Sequence, residues 1–242
     1  TFQAIPATMP DGEVAKEFQD RDLVSAPVVD ADGKLIGQIT VDDVVEVLDD
    51  EADEDMKALA GVGDESLADS VLETVKSRVP WLVVNLGTAI LASFVIQQFD
   101  ASIEQMVALA VLMPIVASTG GNAGTQTMTV TVRALATSKL GSMNARRVIT
   151  REALVGLLNG LIMSVIMATV VFFWFGSGTL GGVIGAAIIV NLFCAAVAGI
   201  LIPLIFHHFE LAPAPASGVF VTMITDCVGF FAFLGLASIW LF

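Results

Sequence analysis

The feature that most constrains this chain is a change of solvent partway along it. After Arg78 the sequence becomes a series of apolar runs: Pro80–Phe99, Ile103–Ala136, Ile149–Phe175, Leu180–Phe206 and Ala216–Phe242. Each is long enough to cross a bilayer core, which takes about 20 residues of helix. The runs are continuously apolar rather than alternating, so they predict a bundle of five helices and not a barrel. The charges obey the same partition. Residues 1–78 hold 20 of the 25 acids and 6 of the 11 bases, and the remaining 164 residues hold 5 of each. The net charge of −14 is therefore a property of the first part alone (6 − 20 = −14). An acidic module of this kind repels nucleic acid and attracts cations. Nucleic acid is accordingly not an expected partner; the lipid bilayer is.

Basic residues give the orientation. Lys76 and Arg78 precede the first run, and Arg133, Lys139, Arg146, Arg147 and Arg151 crowd the second connection. The first and third connections carry no base. This pattern predicts a cytoplasmic amino terminus and an outside carboxy terminus in the cell's inner (plasma) membrane. Trp81, Trp174 and Trp240 fall near predicted span ends, as an interfacial belt requires. Cys194 and Cys227 lie in apolar runs and form neither a disulfide framework nor a zinc motif. The chain opens Thr1-Phe2-Gln3, without Met or a signal-peptide pattern, and reads as a fragment of something longer.

Two departures from apolarity point to chemistry. In the fifth run Asp226 is the only charged residue between Leu211 and Phe242, about ten residues into the predicted span. A carboxylate at that depth is costly and is read by default as functional. Gly218, Thr222 and Asp226 recur at i, i+4 and i+8, with Thr225 and Gly229 placed on the same side. Phe220, Val221, Ile224, Val228 and Phe231 make an opposite, lipid-like face. In the second run Pro114, Ser118, Thr119, Gly120, Gly121, Asn122, Gly124, Thr125 and Gln126 interrupt the apolar pattern. Small residues there permit close helix packing, and polar ones survive at membrane depth where they line water. Both readings stand together. Oxygen donors without a Cys or His motif favour a hard cation such as Mg²⁺ or Ca²⁺ over zinc or copper. One Asp per chain does not neutralise a divalent ion, whereas two copies about a twofold axis do, which predicts a homodimer.

The amino-terminal part has a different texture. Ala26–Val29 and Leu35–Thr40 are short β-rich runs around Asp30-Ala-Asp-Gly33, a hairpin signal, with helices predicted over Gly12–Arg21 and Val41–Leu48. Nine acids then fall within residues 42–55: Asp42, Asp43, Glu46, Asp49, Asp50, Glu51, Asp53, Glu54 and Asp55. Such density repels itself unless cations screen it, so divalent-ion sensing competes here with a plain solvated helix.

The segment Pro27-Val-Val-Asp-Ala-Asp-Gly-Lys-Leu-Ile-Gly-Gln-Ile-Thr-Val-Asp-Asp43 resembles the second repeat of a CBS domain pair. With Pro114, Gly120, Gly121, Asn122, Gly124 and Gln126 in the second run, and Pro213, Ser217, Gly218, Phe220, Val221, Thr222, Asp226 and Gly229 in the fifth, the whole chain resembles the MgtE magnesium channels and transporters. That resemblance implies a mainly α, polytopic membrane protein with a partial α/β CBS repeat over residues 1–50, an acidic connecting, plug-like helix over 51–78 and a pore domain over 79–242. It implies a homodimeric Mg²⁺ pore between the second and fifth spans, with Asp226, Thr222 and Thr225 at the ion and Gly121, Asn122, Gly218 and Gly229 lining the path. It also implies cytosolic Mg²⁺ sensing by Asp43, Glu46, Glu51, Glu54 and Asp55. Adenine nucleotide, bound by some CBS pairs, would need the complete module. Ala212 stands where the family often carries an acid, and Val219 where it often has Pro.

Two other classes compete. A CBS-regulated secondary transporter coupled to Na⁺ or H⁺ would use Asp226 as a proton relay. An intramembrane metalloprotease would need a His-Glu-x-x-His helix, but the only histidines are the adjacent His207 and His208, so no enzyme is expected.

Overall fold

The computed structural model of the chain describes residues 4–59, 69–136, 145–209 and 213–242 and divides the chain into two compact units, Thr1–Ala58 and Leu59–Phe242. The first unit is built on the predicted hairpin. Strands β2 (Ser25–Val29) and β3 (Leu35–Thr40) pair antiparallel, with a bulge at Val28/Val29, and β1 (Ile5–Pro6) joins β2 in parallel. The turn closes because the Asp30 carboxylate accepts from the backbone N–H of Asp32 (3.0 Å) and of Lys34 (2.9 Å). Gly33 takes φ +76°, a conformation that suits glycine. Helix α1 (Asp11–Arg21) lays Val14, Ala15 and Phe18 onto Ile5, Ala26 and Val44 to make a small core. Its last turn carries an Arg21–Glu17 ion pair at 2.6 Å.

Helix α2 (Val41–Leu59) is longer than the predicted Val41–Leu48. It runs without a break from the end of β3 through the acidic stretch, so residues 51–59 extend this helix rather than opening a new one. Residues 60–68 lie outside the described residues. The next helix, α3 (Val71–Gln97), starts nine residues ahead of the predicted span at Pro80. A capping box at Ser70 and Glu73 fixes that start: Glu73 accepts from the Ser70 backbone N–H (3.0 Å) and hydroxyl (2.6 Å).

The second unit is helical throughout its described residues. After α3 come α4 (Asp100–Gln105), α5 (Ala108–Ala136), α6 (Ala145–Phe175), α7 (Gly178–His208) and α8 (Pro213–Trp240). Among the described residues four helices are long and apolar enough to cross a membrane: α3, α6, α7 and α8. The sequence predicted five. The missing run is the second, which the structure divides at the extended residue Met106 into α4 and α5. Helix α5 is long enough, at 29 residues, but its polar centre keeps it out of that set.

Helix α7 is the hub, packing against α5, α6 and α8, and it is the most buried of the long helices. It reverses from α6 in two residues. Gly176, at φ +68°, returns its N–H to the Phe172 carbonyl, and the Ser177 hydroxyl caps α7 by accepting from the Leu180 N–H at 3.2 Å. The main apolar core joins Leu109, Leu112 and Val116 of α5, Val171 of α6, Leu180, Val183, Ile184 and Ile188 of α7, and Phe233 and Leu234 of α8. Helix α3 packs on α8 and buries only Thr88 and Ala92 within this one chain. The Ser102 and Ser238 hydroxyls, 2.6 Å apart, tie α4 to the end of α8.

Candidate functional site

Helix α8 carries two neighbouring stripes. Ser217, Val221, Thr225, Gly229, Phe233 and Ala237 recur every four residues, and all are buried against the bundle. Gly218, Thr222 and Asp226 follow the same spacing one position on and are only half-buried. Sequence periodicity placed Thr225 and Gly229 beside Asp226 on one polar face. The structure places them on the packed stripe next to it instead. Thr225 is fully buried, and its hydroxyl donates to the Thr222 carbonyl at 2.9 Å. Val221, assigned to the lipid-like face, is also fully buried. The reason is crowding. A helix covered by both α5 and α7 buries a wider arc than a simple two-faced wheel allows for.

Helix α5 is divided in a complementary way. Leu112, Val116, Gly120, Gly124 and Met128 are buried, again every four residues. Ser118, Asn122, Thr125, Gln126 and Thr129 face outward. The glycines of the motif thus separate by role. At Gly120 a Cβ would fall 2.2 Å from Asn191 Nδ2, and at Gly124 it would fall 2.6 Å from Val221 Cγ1. At Gly121 it would meet nothing within 4 Å. Gly120 and Gly124 are therefore packing glycines, while Gly121 lies beside the exposed Asn122 on the uncovered side.

Two hydroxyls on that side spend their protons on their own helix. Thr125 Oγ1 donates to the Gly121 carbonyl and Thr129 Oγ1 to the Thr125 carbonyl, each at 2.9 Å. With the proton committed inward, each oxygen keeps lone pairs to accept a donor or meet a cation. The uncovered sides of α5 and α8 thus offer oxygen chemistry: hydroxyls, amides and one carboxylate. Among the described residues of this single chain, no three His, Cys, Asp or Glu side chains come together as a metal-holding group.

Two polar features of the second unit escaped the sequence reading. Asn191 of α7 is fully buried; its Nδ2 donates to the Val116 carbonyl of α5 at 2.9 Å, and its Oδ1 has no hydrogen-bond partner. The signal was present: apart from Cys194, Asn191 is the one polar side chain in the run Leu180–Phe206. The second is a cleft of about 160 Å³ lined by Gln126 and Thr127 of α5, Glu152 and Asn159 of α6, and Leu192 and Ala196 of α7. Glu152 is mostly enclosed and pairs with the exposed Arg151 at 3.0 Å.

In the first unit, Asp43 has a structural task. Its Oδ2 accepts from both the Thr40 N–H and the Thr40 hydroxyl, each at 2.8 Å, which holds the start of α2. The backbone donor first, and then the hydroxyl, hold this carboxyl below the ordinary Asp range. Glu46 is exposed on the same helix, and Asp53 pairs with Lys57 at 3.1 Å. Glu51, Glu54 and Asp55 belong to α2 as well, but their side chains lie outside the described residues.

Comparison with known proteins matches two family models to this chain. A divalent cation transporter family, MgtE, covers residues 113–236, and a CBS domain covers residues 2–50. Three relatives bear the name "Magnesium transporter MgtE". One from Thermus thermophilus is 37% identical over 230 residues, 94% of this chain and 51% of the relative. One from Enterococcus faecalis is 35% identical over 229 residues, 95% of this chain and 51% of the relative. One from Bacillus subtilis is 33% identical over 227 residues, 93% and 50% respectively. The chain spans about half the length of these relatives.

Proposed function

The chain belongs to the MgtE family of divalent cation transporters, and from that premise we propose that it forms the membrane pore of a magnesium channel, with Mg²⁺ as the cargo. The observation that carries this reading is Asp226: a half-buried carboxylate among apolar residues, on a helix packed against α5 with its outward row of Ser118, Asn122, Thr125, Gln126 and Thr129. Polar side chains at membrane depth need protein or water beside them. A second copy of the chain, related by a twofold axis, would turn these uncovered sides toward each other. Two Asp226 carboxylates would then balance one divalent ion, and Mg²⁺, which keeps most of its waters, needs only such sparse contact. In this arrangement α5 is also a span, the second in chain order, polar because it lines the path rather than facing lipid. Thr222 and Gly218 extend the Asp226 stripe, and Gly121 and Asn122 supply the facing wall.

The basic residues beside the first span and in the second connection support an amino terminus in the cytoplasm and a carboxy terminus outside. The acids of α2, Asp43, Glu46, Glu51, Glu54 and Asp55 among them, would gather cytosolic Mg²⁺ and close the path when it is plentiful. Adenine nucleotide would bind only to the complete CBS pair.

The test is Mg²⁺ influx into liposomes carrying the chain, driven by a Mg²⁺ gradient alone. A channel conducts when Na⁺ and proton gradients are collapsed. Influx that appears only when one of those gradients is imposed would transfer the chain to coupled transport, with Asp226 as the relay.

A further inference from the structure

Asn191 is a polar amide set in the most apolar helix of the chain, between Ile188 and Leu192, and it is sealed from solvent. Burying an amide is unfavourable unless its hydrogen bonds are made, and here one of its two polar atoms has no partner. A leucine of similar volume would carry no unpaired polar atom, though its methyl would have to draw back from the Val116 carbonyl that Nδ2 meets at 2.9 Å. Two further helices have also given up side chains to admit the amide. A Cβ on Gly120 of α5 would lie 2.2 Å from its nitrogen and 2.9 Å from its oxygen, and one on Gly229 of α8 would lie 2.6 Å from its nitrogen. Nδ2 meanwhile donates to the Val116 carbonyl, one turn before Gly120. One amide therefore fixes where three helices meet.

The location gives this junction its meaning. Gly120 immediately precedes Gly121 and Asn122, and Gly229 stands less than one helical turn beyond Asp226. Any change at the amide passes along two stiff helices to the oxygens proposed to face the ion. We infer that Asn191 is a positioning residue for cation transport: its clasp on Val116, Gly120 and Gly229 sets the spacing between the polar row of α5 and Asp226 of α8. This inference rests on the pore reading above. Asn191 itself does not touch the ion.

The experiment uses the full chain in liposomes and measures Mg²⁺ uptake against Mg²⁺ concentration, beside thermal unfolding of the same preparations. Asn191→Leu keeps the shape and removes the polar atoms. It is expected to fold and to melt near the parent while its apparent KM moves by about two- to thirtyfold, the size of effect that residues without ligand contact exert on binding. A residue that only fills space would shift stability and leave KM alone. The Gly120→Ala/Asn191→Ala pair guards against misfolding, since the new methyl at 120 occupies room the amide vacates. It too is expected to fold with an altered KM. Parental KM in either folded variant overturns the inference. Asp226→Asn, measured alongside, separates the two levels. If it transports like the parent, the pore reading falls and takes this inference with it. If it is inactive while the Asn191 variants behave as the parent, only the role of Asn191 is lost.

Discussion

Helix α7 has a glycine that is there for its neighbour's sake, and the consequence is measurable. A Cβ on Gly199 would lie 2.8 Å from the Gly124 carbonyl oxygen, 2.9 Å from Thr127 Cβ and 3.1 Å from the Met128 nitrogen. Two of those atoms are backbone and cannot rotate away. With ordinary contact beginning near 3.4 Å, α5 must retreat by about 0.6 Å (3.4 − 2.8). Overpacking a filled core by a methyl costs about 1–3 kcal/mol. Against this, alanine stabilises a helix interior by about 1 kcal/mol relative to glycine. Gly182, on the same helix, separates the two effects, because a Cβ there meets nothing within 4 Å. Gly182→Ala keeps the helix gain and Gly199→Ala adds the clash, so the gap between them reads the clash alone. At about 2–4 °C per kcal/mol for a chain of this size, Gly199→Ala melts about 2–12 °C below Gly182→Ala. Tryptophan fluorescence during heating in detergent provides the assay. Coincident melting curves, or a higher one for Gly199→Ala, would refute the argument that α5 and α7 approach as closely as described. Uptake of Mg²⁺ by Gly199→Ala should also fall, because the displaced segment carries Gln126 and Thr125.

Three further outcomes follow from particular contacts. Asp43→Asn should loosen the start of α2, read as faster amide exchange over residues 41–46. Because its Thr40 bonds hold the native carboxyl below the ordinary Asp value of about 3.9, the stabilisation is present above that pH and is lost as pH falls through the lower native value. The difference between the parent and the Asp43→Asn variant should therefore vanish in strong acid. Ser238→Ala removes the partner of Ser102 and should cost about 0.5–1.5 kcal/mol in thermal stability, with Mg²⁺ uptake unchanged. Thr125→Val preserves shape on the exposed side of α5 but removes an oxygen, so uptake should fall while the melting temperature holds.

The local elements were legible in the sequence for physical reasons. The Asp30–Gly33 turn has one favourable geometry, and the apolar runs have one solvent. Their helices were found within a few residues, apart from α3, whose start is set by Ser70 and Glu73, well outside the hydrophobic pattern, and the second run, which Met106 divides into α4 and α5. Assignments that depend on a third helix were harder. Periodicity alone gave α8 a polar and an apolar face, but contact with both α5 and α7 buries Val221, Thr225 and Gly229 together. Likewise the glycines Gly120, Gly121 and Gly124 are identical as letters, and only the neighbours at each show which are seats and which is open. Asn191 was passed over because a single amide barely changes the hydropathy of a run of that length. The expected start of a connecting helix at residue 51 falls inside α2, which carries on through the acidic stretch to Leu59.

The central claim, that Asp226 stands in the path of the ion, is tested most directly by Mg²⁺ uptake into liposomes containing the parent chain or Asp226→Asn. The two differ by one charge and almost no volume. The account predicts dimers that assemble and melt alike, with uptake abolished or reduced at least tenfold in the variant, about 1.4 kcal/mol or more of lost interaction with the ion. Uptake by Asp226→Asn equal to that of the parent, at every Mg²⁺ concentration, would contradict it.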